Sequence, residues 1–571
     1  MNSQQGNNLK PSNSVSRAVR VILLCLFAAF GAMAVMASPA SAAKQAQLAA
    51  DINPGPSSSN AENPTEFKGQ LYFVGRDGVN GTELWRTNGT EFELVADINP
   101  GPVGSGPYNL TEAGGYLYFS ASSEGSGREL WRTDGTTTEM ASDVYPGANG
   151  SSPNELVALG DALIFTADNG ATGKEIFKFQ GGVLTLLKDI VPGNGSGGPG
   201  QLTQAGGFVY FRADNGVTGR ELWQTDGSNT FIWADINAGA PSSSPNGLTE
   251  FKGEVYFRAT DGVGGYELWK TTGFGVQLVK NINPGADSNP ANFAALGDYL
   301  YFRANDGVVG TELWRTDGSG GGTTLVSDIK PGADSSSIGQ FSVIGTHLYF
   351  SANDGFTGSE PWRTDGAVTL PAGDVNPGEE GSYPYDFTEV DGELYFAADD
   401  GQHGYELWTM GEVNPELFAD ILPGSDSSDP YDPIVYGGEM YFSADDGIHG
   451  WELWKVAEAD KADSLKIVGK KLPLNKAGKL KLKLRCSGET TCAGKVTIKT
   501  KRKLRTKSGK RKITLAGSGF KVPAGKTRTV KLKVSKATKR LIRKNKAARK
   551  VVAVAKVKDA GKVRKGMKIT G

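Results

Sequence analysis

A Glu-Leu-Trp triplet that returns at a nearly fixed spacing constrains this chain more than any other feature. Its third position falls at Trp85, Trp131, Phe177, Trp223, Trp269, Trp314, Trp362, Trp408 and Trp454, at intervals of 46, 46, 46, 46, 45, 48, 46 and 46 residues. Nine units therefore fill Asp51 to Val456, and internal repetition of this length signals a repeat architecture. Each unit holds an Asp/Asn-Ile-x-Pro-Gly loop, a short apolar run, a Leu-Tyr-Phe-like segment and a Gly-rich turn before Glu-Leu-Trp, clearest from Asn281 to Asp328. β-Branched and aromatic runs bounded by Asp-Gly, Pro-Gly and Gly-Gly read as four short strands per unit, and the density of turns excludes helix. Neighbouring large residues such as Tyr301 and Phe302, or Leu313 and Trp314, point to opposite faces of a strand, so both faces of each small sheet need cover.

Four strands every 40 to 50 residues define a β-propeller, in which each blade is covered by its neighbours. The chain ends bear on closure. Gln47-Leu48-Ala49-Ala50-Asp51-Ile52 matches Glu93-Leu94-Val95-Ala96-Asp97-Ile98, the last strand of a unit, while the repeat stops at Val456 just before that strand. The reading is an all-β fold: nine four-stranded blades with the N-terminal strand completing the ninth. An open solenoid or an eight-bladed ring would leave these complementary half-units unexplained.

Segments such as Glu312-Leu313-Trp314-Arg315-Thr316-Asp317-Gly318 resemble the ELWxxDGT repeat of secreted bacterial proteins. The resemblance implies an extracellular repeat protein with a structural or adhesive role and carries over no catalytic residue. Phe177, Pro361 and Thr409-Met410-Gly411 depart from the pattern.

The Glu of the triplet occurs in every unit, at Glu83, Glu129, Glu175, Glu221, Glu267, Glu312, Glu360, Glu406 and Glu452. It shares a strand face with the Trp, and a buried carboxylate must be satisfied. Backbone N–H groups of the preceding Gly-rich turn or a basic side chain from the next blade would serve, and so would a cation. Calcium suits the oxygen-rich turns, with Asp77, Asp261, Asp306, Asp354, Asp400 and Asp446 six residues before the Glu as co-ligands. The candidate metal pairs are thus Asp77 with Glu83, Asp261 with Glu267, Asp306 with Glu312, Asp354 with Glu360, Asp400 with Glu406, and Asp446 with Glu452. Ser123, Asn169 and Asn215 at the same place, and the preference of tight turns for Asp-Gly, favour a structural role. The Asp of the D-I-x-P-G loop becomes Asn281 in one unit, as an Asx-turn permits.

Evidence for catalysis is thin. The histidines are His347, His403 and His449, two of them at equivalent turn positions. No Cys–His pair or Ser–His–Asp signature is present in the repeats, and carboxylates repeated in all units are the reverse of one asymmetric site. A carbohydrate platform of aromatic rings is the competing use of the Trp and Tyr content, with Trp233 and Trp451 off the repeat-core position.

Outside the array, Arg17 and Arg20 precede an apolar run from Val21 to Ala37 that ends in Ala40-Ser41-Ala42, an export signal over residues 1–42. An uncleaved anchor is the other reading of a run this long. Cys25 follows Leu24, unlike a lipoprotein site, which leaves Cys486 and Cys492 as a disulfide pair in an exported chain. The net charge of −1 conceals an asymmetry: residues 457–571 hold 38 Lys and Arg against 5 Asp and Glu, and the remainder holds 23 against 57.

The domains expected are a propeller over 43–456, a linker over 457–465 and a basic β-sandwich over 466–571. Alternation in Lys479-Leu480-Lys481-Leu482-Lys483-Leu484 marks a half-buried strand, Val496–Thr500 and Val551–Val557 read similarly, and Ser535 caps a short helix. This region resembles Lys-rich immunoglobulin-like domains of exported bacterial proteins, which implies Cys486 and Cys492 bridging a hairpin. Such a charge draws cell-envelope polyanions or its own acidic propeller, while a single aromatic, Phe520, argues against sequence-specific nucleic-acid recognition. The expected location is extracellular or envelope-associated, with no transmembrane span in the mature chain. The expected role is a non-enzymatic binding or adhesive scaffold for an extracellular glycan or protein. The alternative is a glycan-active enzyme or lectin using one propeller face.

Overall fold

The computed structural model describes residues 44–411, 414–458, 465–475, 477–486, 491–501, 504–506, 509–523, 525–544, 549–557 and 562–570. The signal segment over 1–42 lies outside the described residues. The chain divides into two compact units, one over Lys44–Ala457 and one within Glu458–Gly571.

Among the described residues, the first unit contains nine four-stranded sheets, each built from consecutive strands except the ninth. Blade 1 runs Glu62–Phe67, Gln70–Asp77, Gly81–Thr87 and Phe92–Ala96, each strand antiparallel to the next. Blade 9 takes Tyr431–Tyr436, Glu439–Asp445 and Trp451–Glu458 from the end of the array, and its fourth strand is Lys44–Ala50. The first strand of each blade abuts the first strand of the next, and that of blade 9 abuts that of blade 1, so these strands form the inner wall of a closed ring. The fold is a nine-bladed β-propeller closed by its N-terminal strand.

Opposite faces of each blade are buried as the repeat requires. Tyr72 and Leu84 pack on Leu117 and Phe119 of blade 2, whereas Leu71 and Phe73 pack on Tyr441 and Leu453 of blade 9. Alternation along a strand thus supplies a core to both neighbours. The N-terminal strand also reaches blade 8, where Lys44 Nζ donates to Val390 O at 3.0 Å and lies 3.3 Å from Asp391 and 3.4 Å from Glu393.

Glycine punctuation has a packing cause at the turn before the Glu. Gly81 has φ +73, and the loop entering blade 2 crosses directly over it, so a Cβ would collide with the backbone of Val103 and Gly104. Gly358 against Gly381 repeats the crossing between blades 7 and 8.

The second unit is a sandwich. Leu465–Val468, Lys479–Cys486 and Thr527–Lys533 form one sheet. The other has the order Lys471–Pro473, Lys562–Thr570, Lys550–Val557, Cys492–Thr500, Thr514–Val522. Leu480, Leu482 and Leu484 enter its core while the intervening lysines are exposed. A helix over Lys536–Lys544 is capped by Ser535, whose Oγ accepts from Thr538 N at 3.1 Å. Cys486 and Cys492 are disulfide-bonded, but the bond does not bridge a hairpin. Cys486 ends a strand of the first sheet and Cys492 begins one of the second, so the bond ties the two layers together.

Candidate functional site

All nine triplet glutamates are buried. Their partners come from the loop that leads into the next blade, not from the preceding Gly-rich turn or a basic side chain. Glu129 accepts from Val144 N at 2.8 Å, Ser151 N at 2.7 Å and Ser151 Oγ at 2.6 Å. Glu221 does the same with Ile236 N, Ser243 N and Ser243 Oγ. Glu452 closes the ring by accepting from Ile52 N at 2.9 Å and Ser59 N at 3.1 Å, about 400 residues away in sequence. The third strand of a blade carries the Glu, and the D-I-x-P-G loop folds back over it because its own buried N–H groups need acceptors. In blade 3 the serine is replaced by Gly197, and Glu175 accepts from the backbone, Ile190 N and Gly197 N among its donors, with no serine hydroxyl.

Burial raises the pKa of every one of these carboxyls, and the hydrogen bonds oppose that rise. Glu360 departs furthest, pushed up to about 7 chiefly by burial. Its Oε2 accepts from Val375 N and Ser382 Oγ, while its buried Oε1 has no partner among the described residues.

The turn aspartates serve their own turns. Asp306 Oδ1 accepts from Val308 N at 2.8 Å and Val309 N at 2.9 Å, and Asp77, Asp261, Asp354, Asp400 and Asp446 make the same pair of bonds. Neutral Asn169 and Asn215 make it equally well, so the turn does not depend on charge. The two members of each Asp–Glu pair are therefore engaged by different backbone groups. Donors converge on the glutamates, an arrangement that satisfies a carboxylate. Among the described residues, no three His, Cys, Asp or Glu side chains gather as a metal-holding group.

His403 and His449 each meet the Asp of their own turn, Nδ1 lying 2.8 Å from Asp400 Oδ2 and 2.7 Å from Asp446 Oδ2. That contact raises both imidazole pKa values. The two tryptophans off the core position are half-buried and engaged. Trp233 packs edge-on to Tyr210 at 6.0 Å and donates to Gly275 O, and Trp451 lies 5.2 Å from the Tyr431 ring.

In the basic unit, exposed Lys470, Lys471, Lys481, Lys483 and Lys531 line one concave surface together with Thr529. A second, formed by the other sheet, is lined by Lys495, Lys499, Lys512 and Lys556. Among the described residues no helix is long and apolar enough to cross a membrane.

No protein-family model matches the chain, and no curated protein matches it in sequence. Solved structures similar to it include a puromycin-hydrolysing peptidase of Mycobacterium tuberculosis, at 13% identity over 63% of this chain and 61% of that one with a TM-score of 0.32. PorZ, a surface component of the type-IX secretion system of Porphyromonas gingivalis, matches at 10% identity over 89% and 75%, with a TM-score of 0.32. The β-propeller domain of the Trilobed protease from Pyrococcus furiosus, described as having an open velcro topology, matches at 10% identity over 66% and 100%, again with a TM-score of 0.32. The chain spans about six tenths of the length of the peptidases it matches first. Its place among the β-propellers rests on its own nine sheets and the contacts that close them into a ring.

Proposed function

We propose that this protein is an exported, non-enzymatic scaffold that displays a propeller surface for binding or adhesion, held near a polyanionic cell envelope by its basic sandwich. The observation that carries this reading is the use of the repeated carboxylates. All nine accept hydrogen bonds at blade junctions, which assigns the most regular chemical feature of the chain to holding the ring. On this reading the turn aspartates need no calcium. The basic unit supplies attachment through lysines that its strand alternation places outside, where they act on a polyanion through salt-sensitive attraction.

Retention of the full chain on immobilised polygalacturonate tests the attachment. The native chain should elute only at raised salt. A Lys470→Gln/Lys481→Gln/Lys483→Gln/Lys531→Gln variant should elute much earlier, and equal retention of the two would overturn the assignment.

A further inference from the structure

In the basic unit, lysines face lysines. The acids beyond Ala457 are Glu458, Asp460, Asp463, Glu489 and Asp559, none of which lies on a strand of the sandwich or on its helix. In the first sheet Lys479 stands directly opposite Lys533, and Lys481 opposite Lys531. In the second sheet Lys495 stands opposite Lys556. Like charges in facing positions destabilise a strand pair, and the propeller avoids them by setting Arg86 opposite Glu93 and Arg132 opposite Glu139. A sheet built for stability alone would alternate the signs here too.

Both sets of lysines lie on outward faces, and the two faces point away from each other. Lys481 and Lys483 alternate with Leu480, Leu482 and Leu484, while Lys495 and Lys499 alternate with Val496 and Ile498. The apolar members of both strands meet in one core between the layers, which turns each lysine row to the opposite side of the sandwich. On the second face, Lys495, Lys499, Lys512 and Lys556 surround a half-buried floor of Thr497, Val552 and Val554. Exposed glycines keep that floor low, Gly517 standing opposite Thr497 and Gly566 opposite Val552. A Cβ on Gly566 would meet nothing within 4 Å, so packing does not call for the glycine. A glycine inside a strand marks a place where a ligand or another backbone comes close.

We propose that the basic sandwich is a cross-linker: each outward face takes one strand of an acidic polysaccharide, so a single protein chain bridges two strands. The proposal rests on the envelope attachment proposed above and deepens it, giving the basic unit two ligand faces and a bridging activity. The two layers of a sandwich lie about 10 Å apart with the lysine heads beyond them, and salt screens charges within about 8 Å, so a strand on one face leaves the other uncompensated. Charge complementarity selects an anion, and a linear polymer with a carboxylate on each sugar suits a row of lysines beside an apolar floor on which sugar rings can rest. A flat bilayer would meet one side of the sandwich and leave the other row unpaired. Single-stranded nucleic acid would find no ring to stack on, since Phe520 is the one aromatic residue of the unit and is buried.

Capture of a second strand by the full chain tests the bridge. Polygalacturonate coupled sparsely to beads is loaded at low salt with equal amounts of each protein, then offered soluble, fluorescently labelled polygalacturonate. The native chain should retain the labelled glycan. Lys470→Gln/Lys481→Gln/Lys483→Gln/Lys531→Gln and Lys495→Gln/Lys499→Gln/Lys512→Gln/Lys556→Gln should each retain severalfold less, because the one remaining face holds the bead. Lys526→Gln/Lys536→Gln/Arg540→Gln/Arg543→Gln removes as many exposed charges from neither face and should behave as the native chain does. No capture by the native chain, undiminished capture by either single-face variant, or an equal loss in the control overturns the proposal. Labelled DNA or phosphatidylglycerol vesicles captured in preference to the glycan at matched charge would overturn the choice of a polysaccharide. Retention on the polygalacturonate column without second-strand capture refutes the bridge alone, whereas loss of that retention refutes the attachment itself.

Discussion

At the blade junctions every repeat carries the same carboxylate, engaged by N–H donors from the following loop, while beside the inner wall the facing positions change from blade to blade. Glu129 and Glu452 do the same work on opposite sides of the ring, one within continuous chain and one across its closure. Tyr385 and Arg212, in contrast, belong to one pair of facing positions and present unlike chemistry. What is constant around the ring holds blades together, and what departs from constancy does not share that task.

Removing a junction carboxylate should have the largest effect. Glu452→Ala leaves the buried N–H groups of Ile52 and Ser59 without acceptors where the ring closes, and should cost about 3 kcal/mol or more in chemical unfolding. Glu83→Ala should cost a similar amount by local loosening, since continuous chain still joins blades 1 and 2. If both variants unfold like the native chain, the junctions do not hold the ring.

The pH dependence sharpens the same comparison. A carboxyl whose folded pKa is raised contributes stability that is complete below its unfolded value and is lost as pH rises through the folded one. For Glu360 that window runs from its ordinary value of 4.5 to about 7. The propeller should therefore melt higher at pH 5 than at pH 8. Glu360→Gln should flatten the profile by about 1 to 3 kcal/mol across the window, if measured against native chain in the same buffers. Asp134, Asp261 and Asp354, whose pKa values are lowered, lose their contribution only as pH falls further through the acid range, so they do not cancel the trend.

A smaller loss is expected from Ser243→Ala, about 1 kcal/mol, because Glu221 keeps its backbone donors, as Glu175 does beside Gly197. The smallest effect belongs to the inner wall. Arg212→Met should be neutral or slightly stabilising in thermal melts at low salt, since it removes a half-buried charge and keeps an unbranched apolar stem. A clear loss of stability there would make the arginine a structural part.

Much of this was legible in the repeat. The four-strand unit, the unit count and closure by Lys44–Ala50 follow from the spacing of Glu-Leu-Trp and from the mismatch of the chain ends. The partners of the glutamates were harder to read, because the donors lie 15 to 24 residues downstream, or for Glu452 at the far end of the array, in a loop whose recurring serine looks like turn composition. The disulfide pair was visible, but its linkage of two sheets was not, since a separation of 6 residues also fits a hairpin. Arg212, Arg258 and Arg303 escaped notice because they stand out only against the residue opposite each, on a first strand whose bulge shifts the register.

Thermal unfolding of the full chain, followed by tryptophan fluorescence in millimolar calcium and in a chelator at equal ionic strength, tests the central claim most directly. If backbone N–H groups and serines hold the nine glutamates, the two melting temperatures should coincide. A melting temperature that rises with calcium and falls back with the chelator would contradict the account and give the turn aspartates and triplet glutamates to a metal.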